Sequence, residues 1–180
     1  MAKLRDQKTP GKSARVGLAP ISNVDAQILI LGSFPGIASL DAQQYYRHPR
    51  NAFWRICADA LNYSQSLSYA EQCALLLKNN IAIWDVLSSC HRKGSLDSAI
   101  EISTAQCNDL ANFFHTHSKI QRVLFNGCAA RRFFDRFALP ALPKNCAPQL
   151  LTMPSTSPAF AAMQFEQKSA IWRLALRDSR

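Results

Sequence analysis

The 180-residue sequence lacks most of the parts by which familiar catalytic sites are recognised. Its six cysteines, at positions 57, 73, 90, 107, 128 and 146, form no CxxC pair and its four histidines are scattered. A metal site and a disulfide framework are therefore both disfavoured, and the thiols read as reduced, most of them within apolar patterns. There is no GxxxxGKS or GxxxxGKT phosphate loop, and GSFPG at positions 32–36 lacks the third glycine and the spacing of a dinucleotide loop. Ser33 is not part of GxSxG, and no HxE with PCxxC marks a zinc deaminase. No apolar run approaches the roughly 18 to 20 residues of a bilayer span, and no apolar signal core follows the basic start. The expectation is a cytoplasmic protein with no membrane partner, no metal and no cofactor.

What is present is positive charge. The formal net charge of +9 and a pI of about 9.6 favour a polyanionic partner without identifying it. Lys3, Arg5, Lys8, Lys12 and Arg15 face only Asp6 within residues 1–22, a stretch with little to bury. It reads as a disordered basic arm, or equally as a passive extension, ahead of a single domain over residues 23–180.

Within that domain, Ile28 to Leu31 is an apolar run of strand length that stops at Gly32. Residues 32–50 show neither helical nor strand period and are too long for an idle connection, which predicts a binding loop. Phe53, Trp54, Ile56, Cys57, Ala60 and Leu61 then fall on one helical face, with Asn51 at its mouth either as a cap or as a side chain projecting into the pocket of the loop. Ser68 to Asn79 predicts a second helix, and Ile81 to Leu87 a strand ending near a lone acid, Asp85, of the kind that usually has a role or a partner. SSCHRKGSLDS supplies turn chemistry. A third helix over 104–117, a strand at 122–126 and a helix from Gly127 with an inward Phe face follow. Beyond them come a strand at 149–153, a polar PSTSP loop and a terminal helix with Phe165, Ile171, Trp172 and Leu176 inward. Strands alternating with helices predict a mainly parallel four-stranded sheet covered on both faces, with ligands at the carboxyl ends of the strands.

The combination of GSFPG after a first strand, QYYRHPRNAFW leading into a helix, WDVLSSCHRKGSLDSAI and a late PSTSPA resembles the deoxyinosine (hypoxanthine) DNA glycosylases of the uracil-DNA glycosylase superfamily. The similarity runs from about Ile28 to the terminal helix. It implies a three-layer α/β/α sandwich, a pocket for a flipped base, and hydrolysis of an N-glycosidic bond without a metal, by a monomer acting on damaged DNA. Many members of the superfamily carry a water-activating Asp or Asn third in the first loop, where this sequence has Phe34. The deoxyinosine branch shares that loss and relies on an asparagine of the HPxN run, here Asn51.

An asparagine suits such chemistry in part. Departure of a base leaves cationic character on the sugar and negative charge on the base, so catalysis is mostly electrostatic stabilisation plus a placed water. Asn offers a carbonyl oxygen to the water and amide hydrogens to the base, but cannot take a proton as Asp can. The resemblance places Tyr46 against the flipped base, the alternative being that Tyr45 and Tyr46 are ordinary loop anchors. Gly32, Ser33, Phe34 and Pro35 are expected to wall the base pocket and to read the base edge through their backbone groups. His48 is either a pocket group or a support for the loop. Ser155, Thr156 and Ser157 correspond to the loop that presses on DNA, with the small Ser157 at the wedge position, although PSTSP can equally cap a helix. Arg47, Arg50, Arg92 and Lys93 are candidate phosphate contacts. Two rivals stay open: a uracil or mismatch glycosylase of the same fold, and a non-catalytic nucleic-acid-binding module whose Phe34 records lost chemistry.

Overall fold

In chain order the elements are β1 (Arg15–Val16), β2 (Ile28–Gly32), α1 (Ile37–Ala42), α2 (Phe53–Leu61), α3 (Tyr69–Lys78), β3 (Ile81–Asp85), β4 (Leu87–Cys90), β5 (Gln106–Cys107), α4 (Leu110–Thr116), β6 (Arg122–Asn126), α5 (Cys128–Phe133), β7 (Gln149–Met153) and α6 (Phe165–Arg177). They come from a computed structural model that describes residues 14–143 and 147–177. As the alternation of strands and helices predicts, the main sheet has four parallel strands, in the order β3-β2-β6-β7.

Side chains alternate across this sheet and give it two cores. Leu29, Leu31, Val123 and Phe125 point to one face, where they pack with Leu110, Phe113 and Phe114 of α4 and with Phe133 and Phe134. Ile28, Ile30, Ile81, Ile83 and Leu124 point to the other, against Phe53, Ile56 and Ala60 of α2, Leu76 of α3, and Trp172 and Leu176 of α6. The expected α/β/α layering follows from this alternation. α3 is held by a capping box: Ser68 Oγ accepts from Glu71 N, and the Glu71 carboxylate accepts from Ser68 N. The five described cysteines are free, Cys57 and Cys90 buried and Cys128 exposed.

Five expectations need correction. Residues 32–50 include α1, a helix of only six residues, too short to display a period. The helix expected over 104–117 starts at Leu110, because Asp109 accepts from Asn112 N as its cap while Gln106 and Cys107 pair with β4. The turn-rich stretch after Asp85 begins with strand β4, the middle of a small antiparallel sheet β1-β4-β5. The boundary of the basic arm at residue 22 fails, since Arg15 and Val16 pair with Cys90 and Ser89 and Ile21 bridges to Ile83; residues 1–13 lie outside the described ones. Ile171 is 40% exposed, α6 burying Lys168 and Ser169 beside Trp172 instead. Among the described residues no helix is long and apolar enough to cross a membrane.

Candidate functional site

The strand order decides where a site can form. From β2 the chain first moves to one side, to β3, and later to the other, to β6, so a crevice opens at the carboxyl ends of these strands. The last residues of the three strands are Gly32, Asp85 and Asn126. All three line a cavity of about 350 Å3, whose remaining walls come from the loop after β2, residues 45–51, residues 95–97 and residues 155–159. The loops after β2 and β7 thus border one pocket although β6 separates their strands.

Asp85 forms part of the floor. It is 3% exposed, and its Oδ2 has no hydrogen-bond partner among the described residues. Burial pushes its pKa up to about 8; the nearby Asp97 carboxylate acts in the same direction and Arg92 opposes it. A Cβ on Gly32 would collide with Asp85 Oδ1 and come within 3.3 Å of Tyr46 Oη, so only glycine lets β2 pass beneath this carboxyl. At the rim, Asp97 accepts a 2.6 Å hydrogen bond from Ser33 Oγ. Burial raises the Asp97 pKa, and Ser33 and Arg92 partly offset it.

The loop leading into α2 is set by local bonds. Tyr45 is a buried anchor whose hydroxyl donates to the carbonyls of Leu18 and Ala19, while its own carbonyl accepts from Trp54 Nε1. Tyr46 has φ +55°, a left-handed conformation unusual for an aromatic residue. It is held there by stacking on Phe53 at 4.0 Å between centroids, with its hydroxyl buried beside Asn126 but without a well-formed hydrogen bond. His48 Nδ1 accepts from Arg50 N and the His48 carbonyl from Asn51 N, a tight turn that aims Asn51. Asn51 Oδ1 accepts from Phe53 N, the first amide of α2, at 3.0 Å, while the N-cap position itself is Ala52, which offers no side-chain cap. Asn51 also lines the cavity, and an amide oxygen has a second lone pair and two N–H groups beside it.

Arg92, expected at phosphate, is instead buried. Its guanidinium donates to the carbonyls of Phe34, Pro35 and Gly94 and lies 5.0 Å from the centroid of the Phe34 ring. The loop after β2 is thereby cross-linked, and the carbonyls of Gly32 and Ser33 accept from Val86 N and Leu87 N. All four carbonyls of residues 32–35 accept a hydrogen bond inside the protein, which fixes the path of this wall of the cavity. Thr156, expected to contact DNA, is 1% exposed. Asn126 Nδ2 donates to Thr156 Oγ1 at 2.8 Å, Thr156 N donates to Asn126 Oδ1 at 2.9 Å, and the Thr156 carbonyl accepts from Ala52 N. This clamp joins β6, the PSTSP loop and the start of α2. Ser155 packs against Gly127, whose φ of +97° and missing Cβ make room for it, and Ser157 is half-buried at the cavity wall.

Outside the cavity, and sharing Tyr46, His48, Arg50, Asn51, Thr156, Ser157 and Pro158 with it, runs an open cleft of about 760 Å3. Arg47, Arg50, Arg55 and Lys168 line the cleft, and no carboxylate does. Arg55 is stacked on Phe165, and Lys168 donates to the Phe160 carbonyl. Arg47 and Arg50 are exposed and make no ion pair among the described residues. Lys93 is exposed as well. Sequence reasoning missed Asp97 and Asn126 and left Asp85 outside the site. The usable signal was position, since Asp85 and Asn126 are each the last residue of a parallel strand.

Comparison with known proteins places this geometry in context. Residues 19–178 match the family model of the Uracil DNA glycosylase superfamily. A hypoxanthine DNA glycosylase of Methanosarcina barkeri is 35% identical over 112 residues, covering 62% of this chain and 70% of that protein. A second, from Methanosarcina acetivorans, is 34% identical over 118 residues, covering 65% and 73%. The fold is similar to the solution NMR structure of a Methanosarcina acetivorans protein assigned as a uracil DNA glycosylase, with TM-score 0.78, 29% identity, and coverage of 92% of this chain and 98% of that one.

Proposed function

The chain belongs to the uracil DNA glycosylase superfamily, and from that premise we propose that it removes hypoxanthine from DNA, taking the flipped nucleotide into the cavity above Asp85 and hydrolysing its N-glycosidic bond. The observation that carries this reading is the pairing of a deep cavity with a cleft lined by cations, with Asn51 in the wall common to both. Phosphates held in the cleft would present the sugar at Asn51 and the base to the cavity. The open cavity favours this reading over a binding module with a filled pocket.

Asn51 carries the central role. One lone pair of Oδ1 accepts from Phe53 N and fixes the side chain; the other orients water toward C1′, and Nδ2 donates to the departing base. The anchor at the start of α2 and the group that orients water are thus the same oxygen acting through two lone pairs. Phe34 excludes water from the place where other members of the superfamily put an acid. Tyr46, one face against Phe53, stacks its other face on the base, an interaction worth about 1 to 3 kcal/mol per base. His48 positions Asn51 through the turn between them. Arg47, Arg50 and Lys93 hold phosphates, and Ser155 with Ser157 meets the duplex, Ser157 filling the vacated stack only weakly, which suits an already destabilised pair. Lys168, the lysine of the cleft, is bonded to a backbone carbonyl, in keeping with a monofunctional enzyme. The protein acts as one domain and as a monomer.

The test is single-turnover excision from end-labelled oligonucleotides containing deoxyinosine, deoxyuridine or deoxyxanthosine. Hypoxanthine is expected to leave faster than uracil, and strands to break only after alkali. Equal or reversed rates would overturn the base assignment, and borohydride trapping of a covalent adduct would overturn the monofunctional one.

A further inference from the structure

The buried carboxyl on the cavity floor has no structural task in the fold as described. Asp85 pairs with nothing through Oδ2, and the strand beneath it is glycine so that the carboxyl can stand there. An unpaired buried carboxylate is costly, whereas a protonated one is a donor in search of an acceptor. The base in the cavity supplies acceptors. A 6-oxopurine presents N7 and O6 on one edge, both gaining negative charge as its bond to the sugar breaks.

Resting on the reading of the cavity as a purine pocket, we propose that Asp85 is the proton donor to the departing base. As the C1′–N9 bond breaks, its electron pair goes to the purine, and the proton of the Asp85 carboxyl passes to the N7 acceptor facing the floor, so that the base leaves as a neutral N–H tautomer. Water placed by Asn51 bonds to C1′ and releases one proton, which restores the Asp85 acid. Atoms and charge balance without a metal or a second substrate.

The surroundings keep the proton in place. Facing Asp85 are the phenols of Tyr46 and Tyr45, the Asn126 amide, the Asp97 carboxylate and the Arg92 guanidinium. Arg92 alone of these favours ionisation, and its guanidinium is shared among three backbone carbonyls and Asp97, 3.8 Å away. With burial and Asp97 against it, the Asp85 carboxyl stands at about 8 and holds its proton at neutral pH. A neutral donor of this kind fills the role that Asn51 cannot, since an amide has no proton to give away.

The experiment has two arms. In the first, the rate of hypoxanthine excision by the wild type falls about tenfold per pH unit above roughly pH 8, and Asp85→Asn is slowed by about 10² to 10⁴ at pH 6.5 with that limb gone and DNA affinity retained. His48→Gln leaves the limb in place. A flat wild-type profile, or Asp85→Asn within about threefold of wild type, overturns the proposal. The second arm reads the free protein: carbon-13 labelled Asp85 titrates near pH 8 in wild type, and an Asp85 ionised at pH 7 overturns the proposal. This arm is independent of substrate, so a wild type that leaves hypoxanthine in DNA would overturn the base assignment while the protonation of Asp85 is still decided.

Discussion

The floor of the cavity and its mouth are built from opposite materials. At the floor, the Asp85 carboxyl sits where water is scarce, and the cation nearest it, Arg92, is buried, bonded to backbone carbonyls and 3.8 Å from Asp97 at the rim. At the mouth, Arg47 and Arg50 stand in solvent with no acid beside them. The contrast shows that the net charge of +9 does not describe the site. Positive charge collects a polyanion at the surface, where screening makes each contact weak and additive. The floor works by withholding charge, since a carboxyl there is more useful neutral than ionised. Asn51 lies on the boundary between the two regions and is neutral, so neither field controls it.

Three perturbations would break or sharpen this contrast. The largest effect belongs to Gly32→Ala, which drives a methyl into Asp85 Oδ1 and toward Tyr46. Overpacking of this kind costs about 1 to 3 kcal/mol, and excision should fall by more than about 10² because the floor group is displaced. A folded Gly32→Ala protein with near-normal single-turnover rates would show that the floor does not matter.

Asp85→Asn should stabilise the protein, and more so at higher pH. The folded pKa, at about 8, lies above the ordinary carboxyl value of 3.8, so between these values the unfolded chain gives up a proton that the folded chain keeps. Stability linked to Asp85 is therefore fully present below about pH 4 and is lost as pH rises to about 8, on the order of several kcal/mol over the whole range. Asparagine removes that dependence. The gain in Tm from Asp85→Asn is expected to be several degrees larger at pH 8 than at pH 5, and an equal gain at both would mean that Asp85 ionises normally.

The smallest effect is at the mouth. Replacing Arg47 and Arg50 by Ala should weaken binding to any DNA sequence alike and flatten the slope of log affinity against log salt by about 2, without changing the rate of bound substrate. A slope that stays the same would place the phosphates elsewhere.

Much of this site could be read from the chain before any coordinates. The run from Ile28 to Leu31, the apolar face from Phe53 and the strands at 122–126 and 149–153 are long or regular enough to show their period, and they fix the sheet. The two loops that meet over it were legible as turn chemistry. What escaped depends on contacts between distant residues. Arg92 looks like a surface cation until three carbonyls close around it, and Thr156 looks like an exposed loop residue until Asn126 binds it from both sides. The small β1-β4-β5 sheet is built from strands of two to four residues, below the length at which alternation can be seen. Asp85 was conspicuous as a lone acid in an apolar strand, but its meaning lies in Gly32 and Asp97, one on the neighbouring strand and the other on a later loop.

The account turns on Asn51, and the most direct test is the single-turnover excision rate of Asn51→Ala beside its melting temperature. Removing one preorganised polar group from a site commonly costs about 10² to 10³ in rate, and removing a helix cap about 0.5 to 2 kcal/mol of stability. Since Asn51 Oδ1 holds the first amide of α2 and the same side chain lines the cavity, both losses are expected together: a modestly lower Tm, DNA binding retained, and excision below that Tm reduced by about 10² or more. Asn51→Asp should keep the bond to Phe53 N and still fall short in rate, because a carboxylate has no N–H to donate to the departing base. An Asn51→Ala protein with a lowered Tm that retains more than about a third of the wild-type rate would contradict the account, leaving Asn51 as a cap alone.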